Sequence, residues 1–110
     1  MLTLKNPADF QRVARDGRRW TGAAFTMQVL KSDAASPFRV GFTVSRRVGN
    51  AVVRNRARRR LREVIRLFLK NHAPQGCDLV IVARTPAAAM DFSALAADFE
   101  KGLAALKVMP

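Results

Sequence analysis

One stretch of the sequence, residues 45–70, combines a dense positive charge with an apolar stripe of helical spacing. Between Arg46 and Arg66 it holds nine arginines and one acidic residue, so it carries +8 of the formal net charge of +12. Its apolar residues recur once per helical turn: Val53, Ala57, Leu61, Val64, Ile65, Phe68 and Leu69. Such a helix buries one side in a core and turns a guanidinium-rich side outward. The stretch therefore predicts a folded domain with a docking surface for a polyanion.

The composition favours a folded basic domain over a disordered basic tail. Hydrophobic residues make up 49% of the chain and charged residues 25%, which leaves enough apolar material for a core. With 110 residues, we expect one domain that spans residues 1–110. A pI near 11.7 makes nucleic acid the first partner class and an anionic membrane surface the second.

The cysteine count and the apolar runs limit the cellular setting. Cys77 is the only cysteine, which excludes an intrachain disulfide and a cysteine-based zinc site. The first seven residues lack the long apolar region of a signal peptide, and no run of about 18 apolar residues could span a bilayer. We therefore expect a reduced, soluble, cytoplasmic protein with no membrane partner and no obligate protein partner.

Local patterns in the first half predict a helix followed by three strands. An Asn-Pro pair at residues 6–7 begins a short helix, which Gly17 ends. Residues 18–22 form a weak strand pattern, whereas residues 23–31 and 38–45 alternate with a period of two. One side of the last strand is small or polar and is predicted to stay open: Arg39, Gly41, Thr43 and Ser45.

The second half predicts a helix, a strand and a helix. Asn50 is expected to cap the long basic helix, and residues 72–76 end it. The continuous apolar run at residues 79–83 is typical of a central strand covered on both faces. Asp91 or Ser93 begins the last helix. The full order, α-β-β-β-α-β-α, predicts an α/β (α+β) two-layer sandwich, in which the helices pack on one face of a central sheet.

The arginines of residues 54–66 form a broad face opposite the apolar stripe. Its central ridge is Asn55, Arg59, Arg62 and Arg66, flanked by Arg54, Arg56, Arg58 and Arg60. This length of helix is about 18 Å, which matches a few phosphate spacings along a nucleic-acid backbone. A merely solvated face normally mixes both signs of charge, and Glu63 alone cannot balance nine arginines. Because arginine binds phosphate bidentately and stacks on bases, we favour nucleic-acid binding.

A motif at the start of this helix indicates a family. Residues 48–56 read Val-Gly-Asn-Ala-Val-Val-Arg-Asn-Arg and follow Ser-Arg-Arg at residues 45–47. Further segments occur in the family's order: residues 9–13, 39–45 and 78–84. Over residues 4–100 the sequence resembles the bacterial ribonuclease P protein family, whose hallmark is an Arg-Asn-Arg helix. The resemblance implies a left-handed strand–helix–strand crossover around the basic helix.

The resemblance also implies a function as a protein subunit of an RNA enzyme. In that family a catalytic RNA holds Mg²⁺ and cleaves the 5′ leader from precursor tRNA, so no catalytic residue is expected on this chain. Mg²⁺ is expected mainly on the RNA, with no dedicated protein site, although acidic side chains or backbone could contribute ligands. The implied contacts to the catalytic RNA are Arg46, Arg47, Asn50, Arg54, Asn55, Arg56, Arg58, Arg59, Arg60 and Arg62. The implied leader cleft lies between the first helix and the open sheet face and uses Phe10, Arg12, Val13, Arg18, Phe25 and Arg39. Family members often carry aromatics where this chain has Ala14 and Gln28.

Other functions fit parts of the same pattern. A structural-RNA-binding protein of the ribosomal type, without a role in cleavage, would have the same composition. A duplex-DNA binder would need the basic helix free to enter a major groove. A protein-only nuclease is disfavoured because the eight acidic residues are scattered, with no tight pair for two-metal chemistry. His72 stands alone near a helix C-terminus, where capping is expected and catalysis is not.

Overall fold

The structure, a computed structural model, describes residues 1–74 and 76–108 as three helices and five strands. The helices are α1 (Pro7–Asp16), α2 (Ala51–Leu69) and α3 (Phe92–Ala105). The strands are β1 (Leu2–Thr3), β2 (Arg18–Thr21), β3 (Phe25–Lys31), β4 (Arg39–Thr43) and β5 (Cys77–Ala83). Two 3-10 turns, Arg46–Val48 and Thr85–Ala88, precede α2 and follow β5. Gln75, which the sequence places in the connection after α2, lies outside the described residues.

The strands form one mixed sheet in the order β1-β4-β5-β3-β2. The central strand β5 runs parallel to β4 and antiparallel to β3, and α2 connects the parallel pair. The handedness of that crossover stays a prediction. Strand β1 was not predicted, because its two residues, Leu2 and Thr3, are too few to show a periodicity and pair with β4 through tertiary contact. The mixed α/β class is confirmed.

Two hydrophobic clusters cover the two faces of the sheet. In the larger cluster, α2 and α3 pack against one face, and its buried members include Met27, Ile81, Leu61 and Phe99. The smaller cluster packs α1 against the other face. Strand β5 contributes to both, since its alternate side chains point to opposite faces. The prediction of a central strand covered on both faces is confirmed.

The prediction that the helices pack on one face needs one correction, which concerns α1. This helix lies on the face that the pattern of β4 marked as open, where Val13 and Val80 are buried together with Leu4. A Cβ built on Gly41 would lie 2.6 Å from the ring of Phe10. The small side chains of this face therefore make room for a helix and not only for water.

Candidate nucleic-acid interface

Helix α2 begins at the predicted cap and buries the predicted stripe. The side-chain oxygen of Asn50 accepts a hydrogen bond from the backbone N–H of Val53, at 3.0 Å. This bond satisfies one of the donors that a helix N-terminus leaves free. The buried residues of α2 are Ala57, Leu61, Val64 and Ile65. Burial of this stripe fixes the rotation of α2 and turns the opposite, arginine-rich side to solvent.

The exposed arginines of this region have almost no acidic partners. Within the described residues, the only ion pair made by the nine arginines joins Arg66 to Glu63, at 2.6 Å. Arg66 donates to both oxygens of Glu63, which holds the pKa of that carboxyl below its ordinary value. The arginines without an ion pair are Arg46, Arg47, Arg54, Arg56, Arg58, Arg59, Arg60 and Arg62. Their charge is available to an external anion.

Arg60 differs from the other arginines of this set because two nitrogens of its side chain donate to another segment of the chain. It donates to the backbone carbonyls of Ala88, at 3.2 Å, and Met90. Both acceptors lie in the segment between β5 and α3. Arg60 therefore ties α2 to this segment and is less free to meet RNA than the exposed arginines, and its assignment as an RNA contact stays a prediction.

The 3-10 turn before α2 extends the basic surface. Arg46 and Arg47 are exposed in this turn, and Gly49 leads from it into the helix. Gly49 has a φ of +151°, and a Cβ there would lie 2.8 Å from the side chain of Val53. Glycine is required at this position because a side chain would be strained and crowded. The turn thus places two arginines at the positive end of α2.

A second part of the basic face includes an arginine held on an aromatic ring. The guanidinium carbon of Arg62 lies 5.7 Å from the centre of the Phe42 ring, within cation–π range. Beside it is a depression of about 480 Å³ lined by Met1, Asn55, Arg58, Arg59, Arg62, Glu63 and Arg66. The side chain of Arg58 donates to Asn55 at 3.1 Å. These contacts orient the arginines without neutralising them.

The structure separates the six residues that were assigned to the leader cleft. Phe10 is half-buried on the α1 face of the sheet, and Arg12 and Arg39 lie on that same face. Val13 is on that face too, but its exposure is 0%. It packs in the core beneath this face and cannot contact a ligand.

Phe25 and Arg18 lie on the opposite face, and their assignment to the cleft is corrected. Phe25 is fully buried with α2 and α3, and its ring centre is 6.2 Å from that of Trp20. Arg18 donates to the backbone carbonyl of Leu106 at the end of α3. The odd-numbered residues of β3 and the even-numbered residues of β2 point toward these helices, because Arg18 pairs with Val29 in register.

Arg12 and Arg39 are engaged by two carboxylates, and one of these was missed as a site residue. Arg39 donates to both oxygens of Asp78, at 2.9 and 2.8 Å, and Arg12 donates to the same carboxylate at 3.3 Å. Asp9 lies 2.9 Å from Arg12 and 3.7 Å from Arg39. Hydrogen bonding to Asp78, then its charge, raises the pKa of Arg39. The only sequence signal for Asp78 is a carboxylate at the start of an apolar strand.

Two kinds of site find no support in the described residues. Among residues 1–74 and 76–108, no three histidine, cysteine or acidic side chains come together in a way that could hold a metal ion. Over the same residues, no helix is both long and apolar enough to cross a membrane.

The fold and the uncompensated arginine face define the class: a small, basic α/β protein that binds a polyanion. The family model for ribonuclease P matches residues 2–107. The chain belongs to the ribonuclease P protein family. Membership makes it an RNA-binding protein subunit of this tRNA-processing ribonucleoprotein.

Individual relatives agree with this assignment in sequence and in structure. The ribonuclease P protein component of Gluconacetobacter diazotrophicus is 43% identical over 100 residues, which cover 91% of this chain and 86% of the relative. The ribonuclease P protein component of Paramagnetospirillum magneticum is 44% identical over 108 residues, which cover 94% of this chain and 79% of the relative. The solved structure of the Staphylococcus aureus RNase P protein matches with a TM-score of 0.84 at 31% identity and covers 100% of this chain and 99% of its own.

Proposed function

We propose that this chain binds the catalytic RNA of ribonuclease P through the exposed face of α2 and the turn before it. The observation that carries the proposal is the run of arginines without acidic partners on one side of a helix whose other side is fixed in the core. Each arginine that meets a phosphate releases condensed counterions, which drives association. A high density of such residues also reduces the repulsion between two bound RNAs.

We further propose that the α1 face binds the 5′ leader of precursor tRNA. We place this activity in the bacterial cytoplasm. Phe10 is partly exposed there and can stack on a base, and Arg12 and Arg39 keep 43% and 35% of their side-chain surface exposed. Proteins commonly bind single-stranded nucleic acid with an aromatic ring beside cationic hydrogen-bond donors. This site is smaller than the cleft that the resemblance implies, because Phe25 and Arg18 lie on the other face.

We also propose that the RNA carries the cleavage chemistry and holds the Mg²⁺. Asp9 and Asp78 are the two carboxylates that share Arg12 and Arg39 on the α1 face, so both are already paired with arginines. An Mg²⁺ ion would have to compete with these two cations for the same oxygens, so the pair does not fit a metal site. We derive no protein-bound step through Mg²⁺.

The test is cleavage of a leader-bearing precursor tRNA by a bacterial ribonuclease P RNA at low Mg²⁺, with and without this protein. We expect strong stimulation, and we expect Arg54→Ala combined with Arg56→Ala to reduce it at least tenfold. Alanine is favourable in helices, and the only hydrogen bond lost within the described residues is the long one from Arg54 to the carbonyl of Gly49, at 3.3 Å, so we expect these variants to fold. The matched control is Arg15→Ala combined with Lys101→Ala, which removes the same charge from exposed positions outside the basic face.

The outcomes separate the competing functions. Tight RNA binding without stimulation would overturn the proposal and favour a structural-RNA-binding protein. Cleavage by the purified chain without any RNA subunit would overturn the assignment of the chemistry to RNA. An equal loss of stimulation in the control variant would show that total charge matters and that the α2 face is not the docking site.

A further inference from the structure

The two proposed RNA-binding surfaces differ in net charge although both contain arginine. On the α2 face, the arginines other than Arg66 make no ion pair within the described residues. On the α1 face, Arg12 and Arg39 are matched by Asp9 and Asp78, so the four groups are neutral as a set. Within the part of the chain described, arginine therefore acts in two electrostatic settings: without an acidic partner on the α2 face, and paired with carboxylates on the α1 face.

The carboxylate of Asp78 is the centre of the neutral set. Only 5% of Asp78 is exposed, and its side chain lies at the junction of α1, β4 and β5. It accepts a two-pronged bond from Arg39, a geometry that a phosphate would otherwise use. The remaining donors of Arg12 and Arg39 border a depression of about 420 Å³, lined also by Lys31, Ser32 and Ser36.

We propose that Asp78, assisted by Asp9, is a specificity-determining residue that holds Arg12 and Arg39 in place and cancels their net charge. This inference rests on the proposed leader site. RNA would then be recognised at the α1 face by directed hydrogen bonds and stacking, and not by the long-range attraction that draws any polyanion. Non-specific RNA would be directed to the α2 face, where the catalytic RNA is already bound in the assembled enzyme. Asp78 thus acts as a positioning residue through the two arginines.

The consequence is a difference in salt dependence. Binding through net charge weakens steeply with salt, by a slope of about 0.7 in log affinity per neutralised phosphate of a single strand. Binding through arginines that are already neutralised displaces few counterions and depends weakly on salt. The contribution of the leader to precursor binding should therefore vary little with salt in the wild-type holoenzyme.

The experiment uses the assembled holoenzyme at fixed Mg²⁺ and varies KCl from about 50 to about 200 mM. The affinities for a leader-bearing precursor and for the same tRNA without its leader are measured, and their ratio isolates the leader. Asp78→Asn keeps the shape of the side chain and removes its charge. We expect it to steepen the salt slope of that ratio by about 0.7, because one positive charge of the set is left unmatched, which is about a threefold larger loss over this range.

Two further variants make the result decisive. Asp9→Asn, at a more exposed position, should steepen the slope in the same direction and serves if Asp78→Asn does not fold. Asp16→Asn is the matched control, because Asp16 is also in α1 but pairs with Arg15, at 3.0 Å, and makes no ion pair with Arg12 or Arg39 within the described residues. It should change the slope less than either of the other two variants.

The results that would overturn the inference are distinct from those that would overturn the proposed function. In one such result, the leader strengthens binding while the salt slope of its contribution stays at the wild-type value in both Asp78→Asn and Asp9→Asn. That result contradicts the role of the carboxylates but leaves the leader site standing. An equal change in Asp16→Asn contradicts it as well. A leader that adds nothing to wild-type affinity overturns the leader site itself, and this inference with it.

Discussion

The ring of Phe10 occupies the space that a side chain at Gly41 would fill. A Cβ on Gly41 would lie 2.6 Å from two ring carbons of Phe10 and 3.1 Å from Leu4. This contact sets the distance between α1 and β4, and hence the shape of the proposed leader site.

Gly41→Ala should therefore destabilise the protein and displace α1. We expect a loss of about 1–3 kcal/mol in the free energy of unfolding, because the added methyl group overpacks a close contact. Urea denaturation measures this loss. Leucine is shorter than phenylalanine, so in a Phe10→Leu background the same substitution should lower the free energy of unfolding by less. Equal costs in both backgrounds would contradict a direct clash between these residues.

Neighbouring arginines in α2 should have separate effects on stability and on RNA binding. Arg60→Ala leaves the carbonyls of Ala88 and Met90 without their charged donor and should cost about 1.5–3 kcal/mol. Arg59→Ala should change stability by less than about 0.5 kcal/mol and weaken binding to the catalytic RNA, because Arg59 is exposed. Denaturation and RNA titration of the two variants check this contrast. A stable Arg60→Ala protein with weakened RNA binding would reverse our assignment.

The cap of α2 should make a measurable contribution to stability. Asn50→Ala removes the acceptor for the backbone N–H of Val53 and should cost about 1 kcal/mol. Asn50→Asp keeps an acceptor at the same position and should retain most of that stability. Asn55→Ala is the matched control, since it makes the same change in the exposed middle of the helix and should have little effect. Thermal and urea denaturation distinguish these cases.

Cys77 should resist modification until the protein unfolds. Burial, and then the charge of Asp78, raises the pKa of this thiol to about 11. The reactive thiolate is therefore scarce near pH 8, and the sulfur is also covered. We expect a thiol-alkylating reagent to label the folded protein far more slowly than the urea-unfolded protein. Comparable rates would show that the start of β5 opens readily.

The same shift predicts the sign of a pH effect on stability. Between the pKa of an unfolded cysteine, about 8.5, and the folded value of about 11, only the unfolded chain loses the proton. Stability should therefore fall as pH rises through this window, by up to about 1.4 kcal/mol per pH unit from this group. Denaturation of wild type and Cys77→Ala at each pH isolates the effect. A constant difference between the two proteins would contradict it.

Helix α2 shows how much could be predicted from local sequence. Its cap at Asn50, its buried stripe and its exposed arginines all follow from spacing within one segment. These features depend on contacts between residues three or four apart, which are visible without a fold. The basic face was predicted for the same reason, except at Arg60, whose partners are about 30 residues away.

The leader site shows why the rest could not be predicted. A period of two indicates which residues of a strand share a face, but not which helix covers that face. Phe25 and Phe10 are both aromatic residues near the same sheet, yet the register of β2 and β3 and the packing of α1 place them on opposite sides.

The sequence by itself determined the amphipathic basic helix, its cap, the α/β class and the family, because these depend on local spacing and on motif order. Only the tertiary structure decided that α1 covers the second face of the sheet. It also decided that Asp78 neutralises Arg39 and Arg12, which are 39 and 66 residues away from it in the chain. Such pairings depend on strand order and register, which bring distant charges together and which no local pattern specifies.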